Sequence, residues 1–279
     1  MEQDILTTII AHKRKEVEAQ KRLLPPEQLA EIADRCAGQT PRRSLKQALA
    51  TSPTGIIAEF KRRSPSKGWI NREATPQQVV PQYEAAGAAA LSILTDEAFF
   101  TGTLDDLTAA RALTTLPLLR KDFVIDAYQL LQARVAGADA VLLIAACLER
   151  NQCTDLAAEA HRLGLEVLLE LHSPAELDYV DCAPDLVGVN NRSLGTFHTD
   201  AAHALTLADT LTQATEGMPC RPLLVAESGI QAPEPACRLR RCGDRGLLIG
   251  ERLMRGNRPG EELQTFIEQM SHLIHIPAL

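Results

Sequence analysis

Residues 55–68 decide how this chain folds; they read Gly55-Ile-Ile-Ala-Glu-Phe-Lys-Arg-Arg-Ser-Pro-Ser-Lys-Gly68. The first half is a short apolar run, which predicts a buried strand. Side chains alternate along a strand, so Ile57, Glu59 and Lys61 lie on one face and the residues between them on the other. A carboxylate and an ammonium at the end of an apolar strand are costly to desolvate unless they are paired or used. At this point an edge strand with a solvated charge pair and a basic turn is as good an interpretation as a functional site.

The composition is that of an ordinary globular protein, with 45% hydrophobic and 23% charged residues. A net charge of −7 argues against nucleic acid as a partner. No apolar run reaches membrane-spanning length and the N-terminus lacks the apolar region of a signal peptide, so we expect no membrane partner. The seven cysteines form no C-x-x-C pair, which argues against a zinc site or a disulfide framework and favours the cytoplasm.

After the opening strand, short apolar strands alternate with helices along the whole chain. The further strands are predicted at 90–94, 116–119, 140–144, 167–171, 186–189, 223–226 and 246–249. Such alternation implies a parallel sheet with crossover helices, and eight units predict a (β/α)8 TIM barrel. A doubly wound open sheet is the alternative, but no G-x-G-x-x-G follows the first strand. We expect residues 1–279 to form a single barrel domain, with 1–54 as an N-terminal helical extension that caps it.

Polar residues close nearly every predicted strand. In a barrel the C-terminal strand ends converge on one mouth, which holds the active site. The residues at these ends are Glu59, Lys61, Asp96, Lys121, Glu170, Asn190, Glu227 and Glu251. Gly229 and Gly250 follow the last two strands, where barrels of this kind bind phosphate, although plain turn chemistry would also explain them. The ring of polar ends therefore predicts a site for a phosphorylated small molecule.

Residues 55–68 resemble the signature of the indole-3-glycerol phosphate synthase family. The resemblance continues through residues 92–96, 99–102, 119–126, 188–192, 226–230 and 249–251, and it includes the N-terminal helices. Three positions depart from the family pattern. Gln132 stands where the family often has Glu, Ser193 where it often has Asp, and Arg252 where it often has Ser or Ala.

The resemblance implies that the substrate is 1-(2-carboxyphenylamino)-1-deoxyribulose 5-phosphate, which undergoes ring closure, decarboxylation and dehydration. It implies Lys121 as the general acid that protonates the ketone oxygen and Glu170 as the general base. Lys61 would hold the substrate carboxylate, and Glu59 would assist proton transfer and position Lys121. The remaining implied residues are Asn190 and Ser228 in the catalytic set, and Ser64, Arg192, Gly229, Gly250 and Glu251 in substrate and phosphate binding. The resemblance implies no metal and no organic cofactor.

Other functions stay open from the residues alone. Lys61 or Lys121 could form an imine in a Schiff-base aldolase. A sister phosphate-binding barrel, such as phosphoribosylanthranilate isomerase, and a barrel that binds a phosphorylated ligand without turnover are further alternatives. We expect a monomer, a mobile lid at residues 62–72, and a structural role for His172 although it lies two residues past Glu170.

Overall fold

Strand β1 (Ile56–Phe60) forms from the apolar half of the opening stretch and pairs on both sides with parallel strands. The computed structural model describes residues 5–36, 43–190, 210–211, 213–218 and 220–274. A short hairpin follows β1, and each of its strands has two residues: β2 (Arg63–Ser64) and β3 (Gly68–Trp69). The other strands are β4 (Ala90–Leu94), β5 (Leu118–Lys121), β6 (Ala140–Ile144), β7 (Glu166–Leu171), β8 (Leu186–Asn190), β9 (Leu223–Glu227) and β10 (Gly246–Ile249). Apart from the hairpin, these strands close into an eight-stranded parallel barrel, which confirms the predicted fold and excludes the open sheet.

Among the described residues, three helices precede β1, and the other helices alternate with the barrel strands. They are α1 (Ile5–Leu23), α2 (Pro26–Cys36), α3 (Leu45–Thr51), α4 (Pro76–Ala85), α5 (Glu97–Phe100), α6 (Leu104–Leu113), α7 (Ala127–Ala136), α8 (Arg150–Arg162), α9 (Pro233–Arg241), α10 (Glu251–Met254) and α11 (Pro259–Ile274). Short 3-10 turns lie at Ala145–Cys147 and Pro174–Cys182. No helix in the described ranges has both the length and the apolar character needed to cross a bilayer.

The alternation expected along β1 is present in the barrel. Ile57 packs inside with apolar residues of the other strands, whereas Ile56 and Phe60 belong to the layer between the barrel and its helices. Local capping sets the helix ends. The Asp126 side chain accepts a hydrogen bond from the Tyr128 N–H at the start of α7, and Gly137 ends that helix in the left-handed region at φ 87°.

The helices before β1 cover both ends of the barrel. α1 lies at the mouth, where Ile5, Leu6 and Ile9 line the cavity described below. α3 lies at the opposite end, where Leu45 and Leu49 are fully buried against the inner residues of the strands. That the whole chain forms one domain capped by residues 1–54 stays a prediction.

The predicted bounds of the third barrel strand are wrong. The third barrel strand was predicted at residues 116–119, but β5 begins at Leu118 and continues through Arg120 and Lys121. Both polar side chains are accommodated, since Arg120 is almost completely buried among hydrogen-bond acceptors and Lys121 faces the mouth. The hairpin in the loop after β1 was not predicted. Between the strands at 186–189 and 223–226 the sequence predicts a helix over residues 200–211, which lies almost entirely outside the described residues.

Candidate active site

One cavity opens at the C-terminal ends of the barrel strands. It is lined by every predicted site residue that the structure describes: Glu59, Lys61, Ser64, Lys121, Glu170, Asn190, Ser228, Gly229, Gly250 and Glu251. Arg192 lies outside the described residues. Side chains that are far apart in sequence therefore share a single mouth, as the ring of polar strand ends predicted.

Lys121, at the end of β5, sits between two buried carboxylates. Its Nζ lies 2.9 Å from Oε2 of Glu170 on β7 and 2.7 Å from Oε2 of Glu227 on β9. Glu227 also lines the cavity, although its place at a strand end predicts no specific role for it. The ammonium and the two carboxylates form a cluster that can exchange protons over hydrogen-bond distances.

Burial and neighbouring charges set the protonation state of each group in this cluster. Burial opposes the charged form of Lys121, but the carboxylates of Glu170, Glu227 and Glu59 outweigh it and raise the pKa of the ammonium. Burial also disfavours ionised Glu170, yet Lys121 and other donors hold the pKa of this carboxyl well below its usual range. Burial, reinforced by the charge of Glu170, raises the pKa of Glu227 to about 7 despite the contact with Lys121. At neutral pH the cluster thus holds an ammonium, a carboxylate and a half-protonated carboxyl.

Two glycines make room for the carboxylates. A Cβ at Gly188 on β8 would lie 2.1 Å from Oε1 of Glu227, and a Cβ at Gly250 would lie 2.1 Å from Oε2 of Glu59. No side chain fits at either distance. Glu59 itself pairs with Lys61, with 2.5 Å between Oε2 and Nζ. This pairing reduces the free-energy cost of desolvating two charges at the end of an apolar strand.

The second oxygen of Glu170 is held from two directions. The Asn190 amide donates to Oε1 at 2.9 Å, and Nε2 of His172 lies 3.0 Å from the same atom. With Lys121 on Oε2, three side chains fix the orientation of this carboxylate. A base whose position is fixed in this way is prepared for proton transfer before substrate arrives.

The ends of β9 and β10 form the part of the mouth predicted to bind phosphate. Ser228 and Gly229 follow β9 with φ values of 65° and 76°. A left-handed serine is uncommon, and such strain concentrates at functional sites. Arg252 also lines the cavity and pairs with Glu262 of α11 at 2.5 Å, so this departure from the family pattern adds a cation at the rim. Gln132 is buried beside Arg120, and Ser193 lies outside the described residues.

The opposite part of the cavity is apolar. It is lined by Phe100, Phe123, Leu142 and Ile144, together with Ile5, Leu6 and Ile9 of α1. The rings of Phe100 and Phe123 lie 6.1 Å apart between centroids. This surface suits an aromatic ring, whereas the polar part suits a charged, hydroxylated chain.

A buried charge cluster joins α1 to the barrel beside the mouth. Lys13 of α1 has no exposed surface, and its Nζ lies 2.9 Å from Asp96 and 3.0 Å from Asp122. Arg120 pairs with Asp122 at 2.8 Å. Arg120 and Lys13 hold the pKa of Asp122 at about 2 although burial opposes its ionisation. We call Lys13, Asp96, Asp122 and Arg120 the Lys13 cluster; it fixes α1 over the cavity.

Comparisons with known proteins agree with this geometry. A family model described as indole-3-glycerol phosphate synthase matches residues 6–268. A curated protein of that name from Bacteroides thetaiotaomicron is 55% identical over 95% of this chain and 98% of its own length. Its counterpart from Burkholderia ambifaria MC40-6 is 43% identical over 93% and 97%. Among solved structures, a mutant tryptophan synthase alpha-subunit from Pyrococcus furiosus superposes with a TM-score of 0.60 at 16% identity, covering 78% of this chain and 98% of that one. At that identity the structural likeness supports the barrel alone.

Proposed function

The chain belongs to the indole-3-glycerol phosphate synthase family, and from that premise we propose that Lys121 is the general acid and Glu170 the general base of its reaction. The protein is a carboxy-lyase of tryptophan biosynthesis, EC 4.1.1.48. It closes the indole ring of 1-(2-carboxyphenylamino)-1-deoxyribulose 5-phosphate and releases CO2 and water. The main support for this proposal is the position of the Lys121 ammonium, which lies between Glu170 and Glu227 in the cavity that Lys61 also lines.

Ring closure begins when the aromatic carbon that bears the carboxylate attacks the ketone carbon. The ketone oxygen gains an electron pair and takes a proton from Lys121. Glu227, with a pKa of about 7, then returns a proton to Lys121 across 2.7 Å. The Lys61 ammonium binds the substrate carboxylate until it leaves as CO2, and the bonding electrons restore the ring.

Dehydration completes the reaction. The new hydroxyl departs with a proton from Lys121 as water, while Glu170 removes the proton from the neighbouring carbon. The overall conversion takes up one proton from solvent, because the carboxylate is lost as neutral CO2. The Asn190 amide donates a hydrogen bond to Glu170. When that hydrogen bond breaks, the amide can orient the substrate hydroxyls. Ser64, Gly229, Gly250 and Glu251 would bind the phosphate at the rim of the cavity, and Ser228 belongs to the proposed catalytic set. Arg192, expected in substrate binding, lies outside the described residues.

The decisive test is a fluorescence assay of indole-3-glycerol phosphate formation from the carboxyphenylamino substrate. We expect Lys121→Ala to remain folded and to lose several orders of magnitude in kcat. Lys15→Ala, an exposed lysine on α1, is the matched control and should keep full activity. Near wild-type turnover by Lys121→Ala would refute the role given to that lysine.

A Schiff-base aldolase is the alternative enzyme, and it needs a lysine that is neutral. Borohydride trapping in the presence of the keto substrate distinguishes the two reactions. A covalent adduct at Lys61 or Lys121 would favour the aldolase. The raised pKa of Lys121 supports a protonated acid instead.

We also propose that the protein acts as a monomer in the cytoplasm. Support for the location comes from the seven cysteines, whose spacing includes no C-x-x-C pair. Light scattering coupled to gel filtration tests the oligomeric state, and a mass twice that of one chain would refute it.

A further inference from the structure

His172 lies behind Glu170 rather than in the cavity. It follows β7 directly, its side chain is 11% exposed, and it is absent from the residues that line the mouth. Its Nε2 lies 3.0 Å from Oε1 of Glu170, on the far side of that carboxylate from Lys121. The imidazole therefore contacts the proposed base without reaching the substrate.

A second carboxylate holds the imidazole in place. The backbone N–H of His172 donates to Oε2 of Glu176 at 2.6 Å, and the same oxygen lies 3.9 Å from Nδ1. Glu176 belongs to the turn Pro174–Cys182, so this second carboxylate comes from the element that follows the strand. One imidazole is thus placed between two carboxylates.

Within the described ranges, charged groups from four elements act on this ring. Glu170 faces it from β7 and Glu176 from the following turn, while Glu227 of β9 acts from further away. Burial opposes the charged imidazole, but these carboxylates outweigh it and raise the pKa of His172. Lys121 of β5 binds the other oxygen of Glu170 and is the opposing cation.

We propose that His172 is a positioning residue for the reaction: its Nε2, 3.0 Å from Oε1 of Glu170, pairs with that carboxylate and aims it at the substrate. The inference rests on the proposed function, in which Glu170 is the base. With Asn190 it balances the attraction of Lys121, which would otherwise turn the carboxylate toward the ammonium. A charged donor also keeps Glu170 ionised, and so ready to accept a proton.

Three variants test this role. His172→Leu removes the donor, whereas His172→Gln keeps an N–H near the position of Nε2 but cannot titrate. His161→Gln is the control, because His161 makes the same kind of contact, 2.9 Å to Asp185, at the other end of the barrel. We expect His172→Leu to lower kcat about 10-fold or more, the usual effect of losing a hydrogen bond to a charged group, with little change in KM.

The pH dependence of kcat/KM distinguishes a positioning role of His172 from a purely structural one. Losing the cation raises the pKa of Glu170, so the acid limb of kcat/KM should move to higher pH in His172→Leu. His172→Gln should recover most of kcat, and His161→Gln should match wild type in both respects. An unchanged acid limb, or equal losses of kcat in His172→Leu and His172→Gln, would overturn the proposal.

A measurement without turnover completes the test. We expect NMR titration of the imidazole nitrogens to give His172 a pKa above the ordinary value, which falls when Glu170 is replaced by Gln. The His172→Gln spectrum assigns the signal, and no fall in Glu170→Gln would overturn the contact itself. If wild type formed no indole-3-glycerol phosphate, the proposed function would fail, while the titration would still decide whether His172 serves Glu170.

Discussion

Replacing Lys13 by methionine should destabilise the protein far more than a lysine change on a helix usually does. Methionine keeps the length of the side chain, and Asp122 keeps Arg120 as its partner. The fully buried carboxylate of Asp96, however, loses the ammonium that lies 2.9 Å from it. Removing one member of a buried ion pair typically costs about 3–5 kcal/mol, because the remaining charge is uncompensated. We expect the free energy of unfolding of Lys13→Met to fall by that amount.

The expected loss is large enough to measure by thermal or urea unfolding. An unfolding entropy of about 2.1 cal/mol/K per residue gives about 0.6 kcal/mol/K for 279 residues, so Tm should fall by about 5–9 °C. Because the cluster lowers the pKa of Asp122, its contribution is present above the ordinary pKa of aspartate, near 4. It is lost as pH falls toward about 2, so the two proteins should converge in acid.

Lys21→Met is the matched control on the same helix. Lys21 lies 2.7 Å from Asp126, but both side chains are partly exposed, and such pairs contribute less than about 1 kcal/mol. Equal urea midpoints for wild type and Lys13→Met at pH 7 would refute the reasoning. An equal fall in the free energy of unfolding in Lys13→Met and Lys21→Met would also refute it, since burial of the ion pair would then make no difference.

Three further predictions concern the mouth. Gly188→Ala should displace Glu227 and lower kcat about 10-fold or more in the fluorescence assay, whereas Gly256→Ala, where the nearest atom would be 3.4 Å away, should not; equal activities would contradict this. Because burial raises the pKa of Glu227 to about 7, wild type should lose stability relative to Glu227→Gln as pH rises from about 4.5 to 7. Urea midpoints at pH 5 and 8 check this, and a constant difference would count against it. Amides of residues 62–72 should exchange hydrogen faster than those of β1, by mass spectrometry without ligand; equal protection would exclude a mobile lid.

The barrel and most of its mouth could be predicted because both follow local patterns. Each strand is a short apolar run that ends in a polar residue, and side-chain alternation places Ile57 inside the barrel and Glu59 at its mouth. The predicted end of β5 is wrong because a polar residue need not end a buried strand. Arg120 continues it, since its guanidinium finds acceptors in Thr95, Asp122 and Gln129.

Contacts between distant elements could not be predicted in the same way. Lys13 stands in the polar run Lys13-Arg14-Lys15-Glu16, which has the appearance of an exposed helix face. Its partners Asp96 and Asp122 follow two different strands, and no spacing connects them to α1. The sequence predicts a structural role for His172 for a related reason: it does not show which carboxylate oxygen the imidazole contacts.

The position of α3 has a consequence for synthesis on the ribosome. Leu49 packs on β10, close enough that a Cβ at Gly246 would lie 3.0 Å from its Cδ1, and Ser44 donates to Glu166 on β7. These partners leave the exit tunnel long after α3 does. The nascent chain must therefore carry an apolar helix unburied until its last strand emerges, which makes a holding chaperone most useful during that interval.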